Sequence, residues 1–447
     1  MTEKYENFRQ IIEEGARLYG DRCALRTARS DGSFSDITYR ELAERVRERA
    51  AFLADQPWNT AGLFGPASAE WIIDLLAAPC AGKRTVLLDS TLEKETLQNL
   101  IDEYGVEKVL PEDGDFHTVP ISSAAPEYPG YLIVFTSGTS ASNKAVVLSQ
   151  KALAYSAWNG QAMLKCGPGD MIVSMLPLNH VFGLVCTLLW PLSFGACIGI
   201  GRGMRYYTAD PKTYRTTILV TVPTLLSYLI ASDSINEECH TVLVGAAPCS
   251  EKVLKAVRER GIRVSFGYGL SETASGLAIS VGADDPFALD LCPDTKCTIA
   301  EDGEVLISTP CMMEGYWHRP QETEAVLKNG VLHTGDLGYL DDKGRLRLTG
   351  RKNDVLVLSN GEKIYCPEWE EKLAEKLGPE IAVVLYKEAP ALVIGNGGPE
   401  ENAAGVVDRF NAEQPISKKI KYIRIIDGPL PRTATGKLKR WKVEELL

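Results

Sequence analysis

Apolar residues recur at helical spacing over residues 8–19 and 39–53. The pattern then changes to short apolar blocks separated by helical stretches. Residues 61–65 read as a buried strand, 68–78 as a helix, 85–88 as a strand, 92–104 as a helix, and 109–110 as the start of another strand. The alternation resumes with a strand at 131–135, a helix at 148–163 and a strand at 171–176, then short buried strands at 217–222, 241–244 and 264–266. Strand–helix–strand order of this kind predicts parallel strands covered by helices. After Glu301 the pattern turns antiparallel: strands at 304–308, 337–340, 345–349 and 355–358, with Asp-Gly and Asp-Asp-Lys-Gly turns between them. A helix over 366–377 and strands at 381–386 and 391–394 follow.

A boundary is expected near Gly350-Arg351. Residues 1–350 then form the larger unit, and 351–447 are long enough for a small α+β unit. The expected fold class is α/β, with parallel-rich sheets covered by helices, a small β-barrel-like subdomain and a small mobile α+β C-terminal domain.

Composition narrows the function. The chain has 447 residues, 45% apolar and 24% charged, which is ordinary for a globular protein. The net charge of −11 argues against general nucleic-acid binding, yet a locally positive cleft can still take an anion. No apolar run reaches the ~18 residues of a membrane span. The longest candidate, 181–200, contains Thr187, Pro191 and Ser193 and reads as buried core. The charged N-terminal segment resembles neither a signal nor a transit peptide. Eleven scattered cysteines without a Cys-x-x-Cys pair point to reduced thiols and a cytoplasmic protein. The five histidines lack zinc spacing.

Four segments carry candidate chemistry. Strand 131–135 runs into Thr136-Ser137-Gly138-Thr139-Ser140-Ala141-Ser142-Asn143-Lys144, a hydroxyl-rich loop closed by a lysine. Hydroxyls and free N–H groups suit phosphate oxygens, although the spacing is not that of a Walker A loop. A solvated Ser/Thr turn fits this loop equally well. In Gly267-Tyr268-Gly269-Leu270-Ser271-Glu272 the glycines permit close approach of a planar ligand, the tyrosine offers a face for a base, and the glutamate offers an oxygen for Mg²⁺. Thr334-Gly335-Asp336 places a carboxylate that suits a ribose diol, or marks a simple turn. Pro431 to Lys437 leaves Lys437 on a loop near the C-terminus, where a solvated charged tail is the ordinary meaning.

In order and spacing these segments resemble the motifs of the ANL superfamily: acyl-CoA synthetases, peptide-synthetase adenylation domains and beetle luciferases. The resemblance runs from about Asn7 to Leu446 and includes a Gly-Arg motif from Gly350. In detail the chain looks most like bacterial long-chain-type fatty acid–CoA ligases. It implies an acid–thiol ligase of the AMP-forming type. A carboxylic acid, a fatty acid on this likeness, attacks MgATP to give acyl-AMP and pyrophosphate, and the thiol of coenzyme A then displaces AMP. The alternatives are loading of a carrier-protein phosphopantetheine, activation of an aryl acid, and a non-catalytic nucleotide-binding module.

The resemblance also assigns roles. Thr136, Ser137, Gly138, Thr139, Ser140 and Lys144 would hold the β- and γ-phosphates. Tyr268 and Gly269 would meet adenine, with Gly245, Ala246 and Ala247 as the opposite wall. Ser271 would meet the α-phosphate, Glu272 would bind Mg²⁺, and Asp336 and Arg351 would take the ribose. Lys437 would bridge the carboxylate and the α-phosphate. His180, Phe182, Gly183 and Gly361 would line the acid and thiol pocket, and Asn353 would be the hinge of a domain rotation.

Overall fold

The computed structural model describes residues 4–111, 116–122, 124, 126–136, 144–247, 249, 251–281, 285–360, 362–398, 400–432 and 438–447, with side chains except at 353 and 400–402. The first helix, Phe8–Tyr19, starts where Asn7 accepts a hydrogen bond from the Gln10 amide, and it buries Phe8, Ile11 and Ile12. The next, Tyr39–Ala54, is capped in the same way by Thr38.

The apolar blocks become the central strands. A six-stranded sheet runs in the order Gly315–Tyr316, Ala145–Leu148, Leu132–Phe135, Arg84–Leu87, Thr60–Leu63, Lys108–Leu110. The last four strands of that order are mutually parallel, as the alternation predicts. A five-stranded sheet contains Ile218–Thr221, Thr241–Gly245 and Arg263–Leu270 in parallel, then Ser275–Ile279 and Asp290–Leu291 antiparallel. Near-continuous burial of these strands, Leu132–Phe135 and Thr241–Gly245 among them, is what coverage on both faces requires. A four-stranded sheet joins Phe34–Thr38, Cys23–Ala28, Cys197–Ile200 and Met171–Ser174. The place expected for a barrel-like subdomain holds a five-stranded antiparallel sheet built on Glu304–Ser308, Val331–Leu340 and Leu346–Arg351.

Two elements depart from the reading by pattern. The helix expected over 148–163 begins at Gln150, capped by Ser149, and a further strand, Ala145–Leu148, precedes it. The lysine-closed loop is therefore a strand–loop–strand connection rather than a strand–loop–helix one. The hairpin of Cys23–Ala28 and Phe34–Thr38 escaped the pattern because its partners are polar: Arg26 pairs with Asp36 across the strands at 2.7 Å.

The run 181–200 is buried core, as expected. It forms a turn of helix, a π-helical stretch Leu184–Leu189, a second turn and the strand Cys197–Ile200. Only Phe182, Cys186 and Cys197 in it are less than fully buried. Trp190, 1% exposed, packs on the helix residue Gly160, and its indole N–H donates to Gln161 Oε1 at 3.0 Å.

Among the described residues no hydrophobic cluster crosses the stretch between Leu348 and Leu356. Beyond it, the helix Cys366–Leu377 covers a sheet of Ile381–Tyr386, Ala389–Ile394 and Tyr422–Ile425. No described helix is long and apolar enough to cross a membrane.

Trp190→Ala removes the largest fully buried side chain. It is expected to cost about 3–5 kcal/mol, read as a lower denaturant midpoint with an unchanged slope.

Candidate functional site

The parallel strands Thr241–Gly245 and Arg263–Leu270 carry their carboxyl ends to one place, where open α/β sheets bind ligands. A cleft of about 600 Å³ opens there. Its walls bring together Thr136 and Lys144 from the hydroxyl loop, Tyr268, Gly269, Ser271 and Glu272 from the end of the long strand, Ala246, His180, Phe182 and Arg351. Five segments remote in sequence therefore border one cleft.

The base of the hydroxyl loop is fixed: Thr136 N–H donates to Lys144 O at 2.9 Å, and Lys144 N–H to Thr136 Oγ1 at 3.3 Å. Lys144 Nζ pairs with Glu322 at 2.9 Å and lies 4.6 Å from the centre of the Tyr316 ring. The Tyr316 hydroxyl donates to Glu272 Oε1 at 2.7 Å.

Gly269 follows a β-bulge between the long strand and Ser275–Ile279. A Cβ at Gly269 would lie 1.5 Å from the Ser275 carbonyl oxygen, so only glycine fits. Bulges of this kind re-aim neighbouring side chains at active sites. Tyr268, just before it, is 8% exposed, and its hydroxyl donates to Asp336 Oδ2 at 2.7 Å. Burial, then the Asp336 charge, pushes the Tyr268 phenol well above its ordinary pKa, so it stays a neutral donor. Asp336 Oδ1 is held by Arg351 Nε at 2.6 Å. The carboxylate, 4% exposed, thus has a donor on each oxygen.

Gly183, Gly245, Ala247 and Asp336 do not border the cleft. Asp336 acts on it through Tyr268 and Arg351, and Gly245 is packed against the Phe182 ring that does border it. Asn353 lies in the single turn Lys352–Asp354 that follows the antiparallel sheet. Ser137, Gly138, Thr139, Ser140, Gly361 and Lys437 lie outside the described residues.

The lining of the cleft is mixed. Phe182, Leu243 and Ile279 belong to one hydrophobic cluster that borders it, and Cys186 and Ser275 line it as well. Phe182 and Cys186 are one helical turn apart in the buried run, which explains their shared exposure. Burial pushes the Cys186 thiol up to about 12, so it remains protonated. The pattern of the sequence did not reveal Tyr316, Glu322, Glu304, Cys186 or Ser275. Tyr316 sits in a two-residue strand, too short for any periodicity to mark.

Glu304, 6% exposed, also borders the cleft. It accepts from Gly335 N–H at 2.8 Å, His333 Nδ1 at 3.1 Å and Lys352 Nζ at 2.8 Å. Burial alone would push its carboxyl up, but Lys352 and then the Gly335 and His333 donors outweigh it and hold the pKa below the ordinary glutamate value. A depressed pKa contributes stability that is present at neutral pH and lost as pH falls through the folded value. Glu304→Gln is therefore expected to cost about 1–3 kcal/mol at pH 7. The difference from the wild type should shrink as unfolding is followed at pH values below the ordinary carboxylate range.

The chain is similar in sequence and in fold to known proteins. The O-succinylbenzoate coenzyme A synthetase of Bacillus subtilis, solved with AMP, shares the fold at a TM-score of 0.82 and 22% identity, covering 99% of this chain and 98% of that one. The 2-succinylbenzoate–CoA ligase of Bacillus cereus is 27% identical over 92% of this chain and 94% of its own length. The indoleacetate–CoA ligase of Aromatoleum aromaticum is 30% identical over 76% of this chain and 71% of its own. Residues 12–127 and 117–317 match the AMP-binding enzyme family, and with these relatives and the converging motifs the chain belongs to that family of enzymes.

Proposed function

We propose that this protein is an AMP-forming acid–CoA ligase whose acid carries an aromatic ring. In the first half-reaction the acid's carboxylate attacks the α-phosphorus of ATP, and pyrophosphate leaves. In the second the thiol of CoA attacks the acyl carbon, and AMP leaves. The observation that carries the reading is the mixed lining of one cleft. Lys144, Glu272, Tyr268 and Arg351, the last two tied together through Asp336, border the same space as Phe182, Leu243 and Ile279.

Each residue has a physical task. Lys144 offers charge to phosphate oxygens, with the loop hydroxyls beside it. The Tyr268 ring, locked by its bond to Asp336, presents a rigid face to a base. Arg351, anchored on Asp336, is set to meet the ribose side. Glu272 suits Mg²⁺ as it is usually held on a nucleotide, by one or two carboxylates with phosphate oxygens and water. Its Oε1 is taken by Tyr316, and among the described residues Oε2 is left for the ion. When bound, the ion would neutralise charge on the phosphate oxygens.

The ring-bearing acid rests on the relatives, whose names specify indoleacetate and 2-succinylbenzoate, and on the aromatic and branched apolar side chains in the lining of the cleft. These favour an aryl acid over the straight-chain fatty acid that the motif resemblance first suggested. The separation of the hydrophobic clusters supports residues 1–350 as the unit that binds nucleotide and acid. It supports 351–447 as a second unit, turning at Asn353, that delivers Lys437 to the α-phosphate for the first half-reaction.

The test is acid-dependent ATP–pyrophosphate exchange with aryl acids and with straight-chain acids of increasing length, followed by CoA. Aryl acids should support exchange, and CoA should then release AMP. Exchange confined to straight-chain acids would reject the aryl reading, and exchange with no acid would reject adenylation. Lys437→Ala should slow exchange by about 10²–10³-fold while sparing thioester formation from supplied acyl-AMP. Equal loss in both halves would reject the two-position role of Lys437.

A further inference from the structure

Tyr316 is absent from every motif considered above, yet it touches two charged groups of the cleft, Lys144 and Glu272. Its two-residue strand pairs antiparallel with Ala145–Leu148, with Tyr316 opposite Val146. That register sets it beside Lys144, the residue that opens into the paired strand. The ring is 7% exposed, and the Lys144 ammonium stands 4.6 Å from its centre. The hydroxyl reaches the other way, donating to Glu272 Oε1 at 2.7 Å. The backbone is fixed as well. Tyr316 N–H donates to Thr323 Oγ1 at 2.9 Å, and the Thr323 hydroxyl donates to Arg319 O at 2.9 Å. Met313 N–H donates to Glu272 O at 2.8 Å, so the segment that carries Tyr316 also grips the turn that carries Glu272.

We propose that Tyr316 is a positioning residue that couples the metal-binding carboxylate to the phosphate-binding lysine, so that MgATP meets both already oriented. The proposal rests on the functional reading above and deepens it.

The chemistry of the two contacts differs in a useful way. The Tyr316 hydroxyl donates to Oε1, which fixes the carboxylate rotamer and, among the described residues, leaves Oε2 for a cation. A group that orients a metal ligand through such a bond acts on metal affinity without touching the metal. The ring face steers the ammonium by its quadrupole and leaves the positive charge intact. Glu322, by contrast, holds Lys144 with a full negative charge at 2.9 Å. An arriving triphosphate must compete with Glu322 for the lysine, whereas it has no quarrel with the Tyr316 ring.

Tyr316→Phe separates the two contacts, because it deletes the hydroxyl and keeps the ring under Lys144. Two readouts are used: the Mg²⁺ titration of pyrophosphate exchange, and the Mg²⁺ dependence of the ATP-induced rise in melting temperature. The Phe variant should need roughly 10-fold more Mg²⁺ for the half-maximal effect in both, with its ATP KM at saturating Mg²⁺ nearly unchanged. Tyr316→Leu, which also loses the ring, should raise the ATP KM in addition. In a Glu272→Gln background, Tyr316→Phe should change the Mg²⁺ midpoint little, because the bond it removes no longer serves a carboxylate.

Wild type that is active, with a Phe variant whose Mg²⁺ midpoint is unshifted in both readouts, overturns the inference alone. A Phe variant that loses kcat with metal and ATP dependence unchanged also overturns it. Wild type that shows neither exchange nor an ATP-induced shift overturns the functional reading and this inference together.

Discussion

A carboxylate with almost no access to water must find its hydrogen bonds within the protein, and Asp336 finds one on each oxygen. The donors come from different places: Tyr268 from near the end of the central strand of the five-stranded mixed sheet, and Arg351 from the last residue of the strand Leu346–Arg351 in the antiparallel sheet. Satisfying that one charge therefore clamps two sheets together at the mouth of the cleft. It also fixes the plane of the Tyr268 ring and the reach of the Arg351 guanidinium. Removing either donor would leave an under-compensated buried charge, which is a stronger penalty than the loss of an exposed ion pair.

The rest of the site follows from the same economy of satisfied groups. Glu304 is buried and gathers three donors from Lys352, His333 and Gly335. Glu272 is tied to Tyr316, and Lys144 is balanced between a ring and Glu322. Glu304, Glu272, Lys144 and Arg351 each have a partner that fixes their direction. The hydrophobic strands do the coarser work: they stop at the same edge, so that the loops after them share one space.

Much of this was legible in the residues. The helices 8–19 and 366–377 and the strands 304–308 and 381–386 stand where apolar spacing put them. The convergence of Thr136, Lys144, Tyr268, Glu272 and Arg351 on one cleft followed from motif order. What remained hidden has physical causes. The strand Ala145–Leu148 is four apolar residues against a helix start, and a run so short reads as either element. The hairpin at 23–38 turns polar side chains outward and pairs them with each other. Tyr316 and Glu304 act through contacts 44 and 31 residues away in sequence, with Glu272 and Gly335. Such contacts exist only after the sheets have formed, and no local spacing encodes them.

Lys352 has a consequence of its own. It stands beyond the last residue of the antiparallel sheet, yet its ammonium is bound at 2.8 Å to the buried Glu304 and at 2.6 Å to Asp302. The chain is thus tethered to the larger unit for one residue past the sheet. The neighbouring contact on the other side, Arg440 with Asp354 at 2.8 Å, belongs wholly to the smaller unit. In the proposed swing of residues 355–447 as a lever arm, the pivot would be bracketed between those two ion pairs, at the two peptide bonds that flank residue 353. The anchors on either side make the joint narrow, so a small dihedral change there becomes a large displacement at the far end.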